Sequence, residues 1–400
     1  MSPARGITLA ILVLCLGHIF SNAVRTIPAI AVDVLVRDLG VSTETLAKLT
    51  GAFPLAFAAV MIPVGVALDR HGVKRVALGL LMVAGIGAMM AALATGAWSM
   101  LAAQIVLGAG CSGMLMCPIT FAARALHAGR FAVWSGVIQA IGNTGMLLSA
   151  SPLAVLIEVA DWRAGYWACA GLAALAVPAV LFVLPRDVPP ARPSRSVLED
   201  TRELLRIAAT PAMRGVMVLV FASFAAMLGL RGLWGGPWLM EVKGLDRIAA
   251  GNILLACTVA LTIGPILAGM LLRRTGQTRA ILAVSHLAAA GLMLLLIAGG
   301  PNGPFGLLPP AWDAVLLVLF GLILSSQVAA FSIARAAVPP DQAGRALSAL
   351  NFSFFFGAGV LQAVSGLMAG WGGVAAALLT FPLALILCTL GFLALTRRGG

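Results

Sequence analysis

Charge is what this chain has least of. Asp, Glu, Lys and Arg make up 10% of its 400 residues, and 61% are hydrophobic. A soluble globular domain carries about 25% charged residues, so a water-exposed exterior is excluded and a bilayer is the expected solvent. Three further absences narrow the function. There is no Walker-type phosphate loop, which excludes ATP-driven transport. The six cysteines (15, 111, 117, 169, 257, 388) all lie in apolar segments with no CxxC pair, as expected for small packing residues and not for disulfides or zinc. Acidic residues fall at segment ends and loops (Asp33, Glu158, Asp161, Glu241, Asp313). No apolar segment carries a carboxylate at its middle, which disfavours cation symport and intramembrane acid–base chemistry. No catalytic constellation and no cofactor site is expected, so the chain does not read as an enzyme. The net charge of +12 is dispersed in short gaps between apolar runs instead of forming one basic face, and nucleic acid is not an expected partner.

What is present is a series of apolar runs. About 20 predominantly apolar residues cross a bilayer, and that rule predicts twelve spans: 7–34, 47–68, 76–96, 99–122, 132–157, 164–184, 214–240, 249–271, 280–299, 313–334, 346–369 and 374–396. The first run is too long for a signal-peptide core and lacks a clear small-residue cleavage site, so it is expected to stay attached. With both termini placed in the cytoplasm, nineteen of the 26 Lys and Arg residues face that side. Five (Arg37, Lys48, Arg163, Lys243, Arg247) face the other, and Arg25 and Arg231 lie within spans. This positive-inside bias orients the chain in a cell inner (plasma) membrane. A longer gap, 185–213, divides the spans six and six. Its PRDVPPARPSR cannot be helical, while Ser196 and Glu199 fit a capping box opening a short amphipathic helix with Leu198, Leu205 and Ala209 near one face. The expected organisation is therefore 1–184, a linker at 185–213, and 214–400.

The two halves resemble each other. GVALDRHGVKR (65–75) aligns with GMLLRRTGQTR (269–279), and GRFAVWSGVIQAIG with GRALSALNFSFFFG. Parallel six-span repeats of this kind occur in transporters that rock two halves about a midplane site. On these residues the chain resembles the major facilitator superfamily over essentially its whole length. The resemblance implies an all-α integral membrane protein with twelve transmembrane helices in two pseudo-symmetric six-helix bundles, working by alternating access. It also implies a gating loop of Gly65, Asp69, Arg70, Gly72, Lys74 and Arg75, in which Asp69 holds the halves together in the outward-facing state. Gly65 would then permit close helix approach and Gly72 a tight turn. Two departures are visible. Gln104 stands where many proton-coupled members carry an Arg, and GVIQAIGNTGMLLSASP in the fifth span matches the drug-antiporter signature only loosely, through Gly142 and Gly145.

Polar residues inside spans mark function more often than not, because each is costly there. His18, Ser21, Asn22 and Arg25 recur at i, i+3, i+4 and i+7, one helix face. That face is expected to line a substrate cavity, with Arg25 binding an anionic group. The alternative is that Arg25 satisfies backbone near Pro28, or snorkels. Arg231, in the seventh span's MLGLRGLWGGPWLM, is its counterpart in the second half, provided an insertion or local unwinding aligns the faces. Guanidinium groups suit carboxylate and phosphate because they donate bidentately and stay charged. Trp234 and Trp238 are open between cavity contact and interfacial anchoring. Ser135, Gln139 and Asn143 form a further cavity face or an interhelical hydrogen-bond set, and Asn351 and Gln362 a weaker one. CSGMLMCP offers the soft ligands Cys111, Met114 and Cys117 at helical spacing, which admits copper, although packing is the commoner use of such residues.

The sequence thus predicts a monomeric secondary transporter for a small organic or inorganic anion held between Arg25 and Arg231. A coupling proton or counter-anion is a possible co-substrate. Efflux of amphipathic drug-like compounds, soft-metal uptake and a non-transporting sensor remain open.

Overall fold

A computed structural model describes residues 3–126, 128–185, 197–338 and 343–396. The described residues form helices joined by short turns, without a strand. Eleven helical stretches are long and apolar enough to cross a membrane, and the last, Ser348–Thr396, has 49 residues. That stretch bends where Gly372 (φ −147°) and Gly373 (φ +64°) leave helical geometry. A positive φ of this kind is cheap only for glycine. The bend makes two crossings of one stretch, and twelve in all.

Several spans are interrupted where the sequence breaks the helical hydrogen-bond ladder. The first runs as Pro3–Val24, turns at Arg25 and Thr26, and continues as Ile27–Leu39. Pro28 has no N–H for the carbonyl four residues earlier. Thr26 caps the break, donating from Oγ1 to the carbonyls of Asn22 (3.1 Å) and Ala23 (3.2 Å). The fifth span breaks similarly between Ala128–Leu148 and Ser151–Val159, ahead of Pro152. Around Arg231 the seventh span does not unwind. After Pro211–Gly229 it widens into two π-helical turns, Leu230–Trp234 and Trp238–Val242. Such widened turns shift the phase of a helix face and occur often at functional sites, but they do not bring Arg231 onto the face that Arg25 occupies.

Three helices that start at one membrane end carry side-chain caps: Ser42 Oγ accepts from the Thr45 amide, Asp161 from Ala164 and Asp246 from Ala249. Each satisfies an amide that no helical carbonyl reaches. In the linker, the helix Val197–Ala208 packs against the second span and the last helical stretch. Its Ile207 is buried and Leu205 exposed, while Ser196 and the segment 186–196 lie outside the described residues.

Trp234 and Trp238 are internal. Trp234 Nε1 donates to Ser365 Oγ at 2.8 Å and Trp238 Nε1 to Asp313 Oδ1 at 2.7 Å, with both rings buried. Neither anchors the chain at a lipid interface, and neither lines the central cavity described below. Asp313 also pairs with Lys243 (3.0 Å), both side chains being fully buried.

Candidate functional site

Between the first six and last six spans lies a cavity of about 180 Å³. From the first span His18, Ser21 and Arg25 reach it, and from the fifth Gln139 and Asn143. The predicted polar stripe therefore faces inward, except that Asn22 turns aside. Asn22 is fully buried, with its Nδ2 3.5 Å from His18 Nε2. Gln139 Nε2 donates to Asn143 Oδ1 at 3.0 Å. The first and fifth spans approach closely because of two glycines. A Cβ at Gly142 would lie 1.7 Å from His18 Cδ2, and one at Gly145 2.0 Å from the Ile19 carbonyl oxygen. Ser135's side chain lies outside the described residues. Asn351 lines the cavity; Gln362 is buried elsewhere.

Arg25 is the charge of this site. Its Nε is buried without a hydrogen-bond partner, and it makes no salt bridge to any described carboxylate. What it has are ring faces: Cζ lies 5.5 Å from the Phe224 centroid and 6.0 Å from that of Phe355. Contacts of this type contribute about 0.5–2 kcal/mol, well short of what an ionised group loses on leaving water. At the helix break it is Thr26, not Arg25, that donates to the carbonyls of Asn22 and Ala23.

Arg231 is placed differently. It is almost wholly buried, donating from Nε to Thr258 Oγ1 at 2.6 Å and from Nη2 to the Met146 carbonyl at 2.8 Å, with Nη1 unpartnered. It is not among the cavity-lining residues, so the predicted two-arginine clamp is not assembled in this conformation. The two arginine segments nevertheless run side by side, since a Cβ on Gly232 would sit 3.5 Å from the Arg25 carbonyl oxygen.

The sequence did not single out the remainder of the lining. Phe57, Phe224, Phe331, Phe354 and Phe355 form a continuous aromatic wall. Phe57 stacks on Phe355 (centroids 3.7 Å), Phe355 meets Phe224 at 4.8 Å, and Phe354 meets Phe224 and Phe331 at 6.2 and 5.8 Å. Gln327 also lines the cavity, with its Oε1 buried and unpartnered.

The cavity is sealed toward the end where the first span finishes. There Arg247, of the eighth span, holds Asp33 through Nη1 (3.0 Å) and Nη2 (2.7 Å), Glu158 through Nε (2.8 Å), and the Ile30 carbonyl. Ser151 donates to Asn252 at 2.5 Å. Glycines bring the backbones together: a Cβ on Gly236 would lie 1.5 Å from the Ala29 carbonyl oxygen, and one on Gly51 3.2 Å from that of Gly359. All five cations predicted for this end are paired with carboxylates, Arg37 and Arg163 with Asp38, Lys48 with Glu44, Lys243 with Asp313 and Arg247 with Asp33 and Glu158.

In the predicted gating loop, Gly72 has φ +82° and ends the helix Thr43–His71, as a glycine-dependent turn should. Gly65 departs from expectation. A Cβ there would meet only Met116 Cε at 3.9 Å, so no close helix approach requires glycine in this conformation. Lys74 Nζ donates to the Leu184 carbonyl at 2.7 Å, and Arg124 Nη2 to that of Leu68 at 3.5 Å. Arg70 and Arg75 are exposed, and Asp69's side chain lies outside the described residues. Of the soft ligands, Cys111 lines the cavity, Met114 Sδ fills the space a Cβ at Gly17 would need (2.5 Å), and Cys117 is buried. No group of three or more His, Cys, Asp or Glu suited to a metal occurs among the described residues.

Over 381 residues, 90% of this chain and 85% of the relative, the chain is 23% identical to the "Probable sulfoacetate transporter SauU" of Cupriavidus necator. It is 29% identical over 185 residues to the "Multidrug resistance protein B homolog" of Mycobacterium tuberculosis, a match covering 44% of this chain and 33% of that protein. Among solved structures, a POT family transporter in complex with a thioalcohol-conjugated peptide superposes with a TM-score of 0.81 at 13% identity, covering 98% of this chain and 96% of the other. The nucleoside transporter NupG gives 0.76 at 15% identity, covering 98% and 99%. The family model of the Major Facilitator Superfamily matches residues 14–361, and the chain is a multi-pass membrane transporter belonging to that family.

Proposed function

We propose that this transporter carries a small organic or inorganic anion, anchored by Arg25. The observation that carries the reading is the unpaired guanidinium: a half-buried cation in a cavity, its Nε buried without a partner, given ring faces but no counter-charge among the described residues. An anionic ligand supplies what the fold leaves out. Gln139, Asn143, His18 and Ser21 add neutral donors and acceptors beside it, and Asn22 holds the His18 ring. Arg231 is the second cation, available once its bond to the Met146 carbonyl opens. The name of the Cupriavidus relative, which refers to an anion, supports the same class.

Transport follows by alternating access, residues 1–184 rocking against 214–400 with 185–213 as their link. The loop 65–75 gates one end and the Arg247 cluster closes the other. With both termini in the cytoplasm of a cell bounded by this inner membrane, the sealed end is the outer one and the cavity faces inward. A proton or counter-anion is the coupling partner, a monomer is the working unit, and no cofactor takes part.

Uptake of labelled anions into proteoliposomes of the purified protein tests the reading. Arg25→Gln should abolish saturable anion uptake and Arg25→Lys should keep part of it. Undiminished uptake by Arg25→Gln would sink the proposal.

A further inference from the structure

The anion reading leaves the substrate's body unspecified, and the walls around Arg25 specify it. An inorganic oxyanion is strongly hydrated and needs several donors in exchange for its water. The cavity offers it one guanidinium and a few neutral groups, some already committed: Ser112 Oγ donates to the Ala109 carbonyl (2.7 Å), Ser325 Oγ to that of Leu322 (2.6 Å), and Gln139 to Asn143. Much of the remaining wall is aromatic. Phe224 and Phe355 stand directly against the guanidinium, and Phe57, Phe354 and Phe331 continue from them. Such a surface rewards planar apolar area through offset and edge contacts.

Size agrees. A dry cavity of about 150 Å³ lined by apolar side chains binds benzene, and this one has about 180 Å³, enough for one ring with one charged substituent. Among the described lining residues Arg25 is the one Arg or Lys, so a second charge on the ligand would have no counter-charge there. Gln327, also in the lining, presents in its Oε1 a buried acceptor without a partner, suited to a hydroxyl or amine on the ring.

We infer that the substrate is an organic monoanion, a carboxylate or sulfonate on a ring-sized apolar body, with its headgroup on Arg25 and its body against Phe224 and Phe355. The inference rests on the anion reading and sharpens it.

Ligand-induced thermal stabilisation of the purified full chain separates the two. The probes are benzoate, benzenesulfonate, benzamide, acetate and sulfate. Benzoate and benzenesulfonate should stabilise wild-type protein at concentrations at least tenfold below acetate or sulfate, and benzamide should not stabilise it. Phe224→Leu, which keeps bulk and removes the ring, should weaken the benzoate response several-fold more than the acetate response. Arg25→Gln should lose the response to every anion. Acetate or sulfate acting as strongly as benzoate would overturn the inference while leaving the anion reading intact. Benzamide acting like benzoate, with Arg25→Gln unaffected, would overturn both, as would the absence of a response to any anion.

Discussion

Arg247 grips both carboxylate oxygens of Asp33, at 3.0 and 2.7 Å, although 214 residues separate the two. They belong to opposite halves of the chain, so their contact exists only while that end is shut. The Asp33 side chain is 44% exposed, so solvent screening leaves the pair on the order of 1 kcal/mol. Asp33→Asn should therefore shift the balance toward opening about fivefold. The check is labelling of an introduced Ala29→Cys by an impermeant maleimide from that side. Unchanged labelling would show that Arg247 is not a latch.

Gly236 should be the sharper probe of the same closure. Its added Cβ falls 1.5 Å from the Ala29 carbonyl oxygen, which is backbone and cannot swing away. Gly236→Ala is expected to hold that end apart and to reduce transport at least tenfold. Gly79→Ala, where nothing lies within 4 Å, should retain activity and gain up to about 1 kcal/mol of helix stability. Normal turnover in Gly236→Ala would show that the two spans do not need this contact.

Arg231 should matter first for stability. Replacing it with Gln removes a charged donor from the Met146 carbonyl and from Thr258 Oγ1, which keep only the Ser149 hydroxyl (3.2 Å) and the Leu254 carbonyl (2.7 Å) as partners. Hydrogen bonds to charged groups contribute about 1.5–3 kcal/mol each. Melting of the detergent-purified protein should fall by several degrees for Arg231→Gln and less for Arg231→Lys, which keeps one donor. Identical melting of wild type and Arg231→Gln would refute this.

Acid should loosen the sealed end through Asp38. The Trp162 indole N–H, 2.9 Å away, and then Arg37 hold its carboxyl below the usual range. Because the unfolded chain binds that proton more tightly, the ionised group adds stability above the ordinary carboxylate pKa. That contribution fades as the pH falls through the depressed value. Below about pH 4, wild-type melting should drop more steeply than that of Asp38→Asn. Parallel curves would mean that the Trp162 contact contributes nothing.

The spans and the inward stripe were legible because apolar length and helical period are local properties. His18, Ser21 and Arg25 declared their face against an apolar background. Phe224, Phe354 and Phe355 did not, since aromatic residues in an apolar span give no contrast, and which of them line a cavity is decided by packing. Arg247 read as a loop cation, and Asp33 and Glu158 as span-end acids. The abundance of acids on the side with few bases was the available hint that they pair. Arg231 was recognised as buried, but its partners arise from two π-helical turns and a break in the fifth span, neither of which is encoded by period.

Pairing at the sealed end has an effect that reaches beyond the seal. Eight carboxylates (33, 38, 44, 158, 161, 241, 246, 313) share that end with the five paired cations, while the topology expected from the sequence assigns nineteen cations and six acids to the other. On that topology the molecule is electrically polarised along its axis. A negatively charged solute is drawn toward the cationic mouth from a distance set by the Debye length, about 8 Å in physiological salt, and is repelled at the opposite face. Encounter from the cationic side should slow as ionic strength rises, whereas encounter from the other side should quicken, so added salt alone alters the ratio of the two rates.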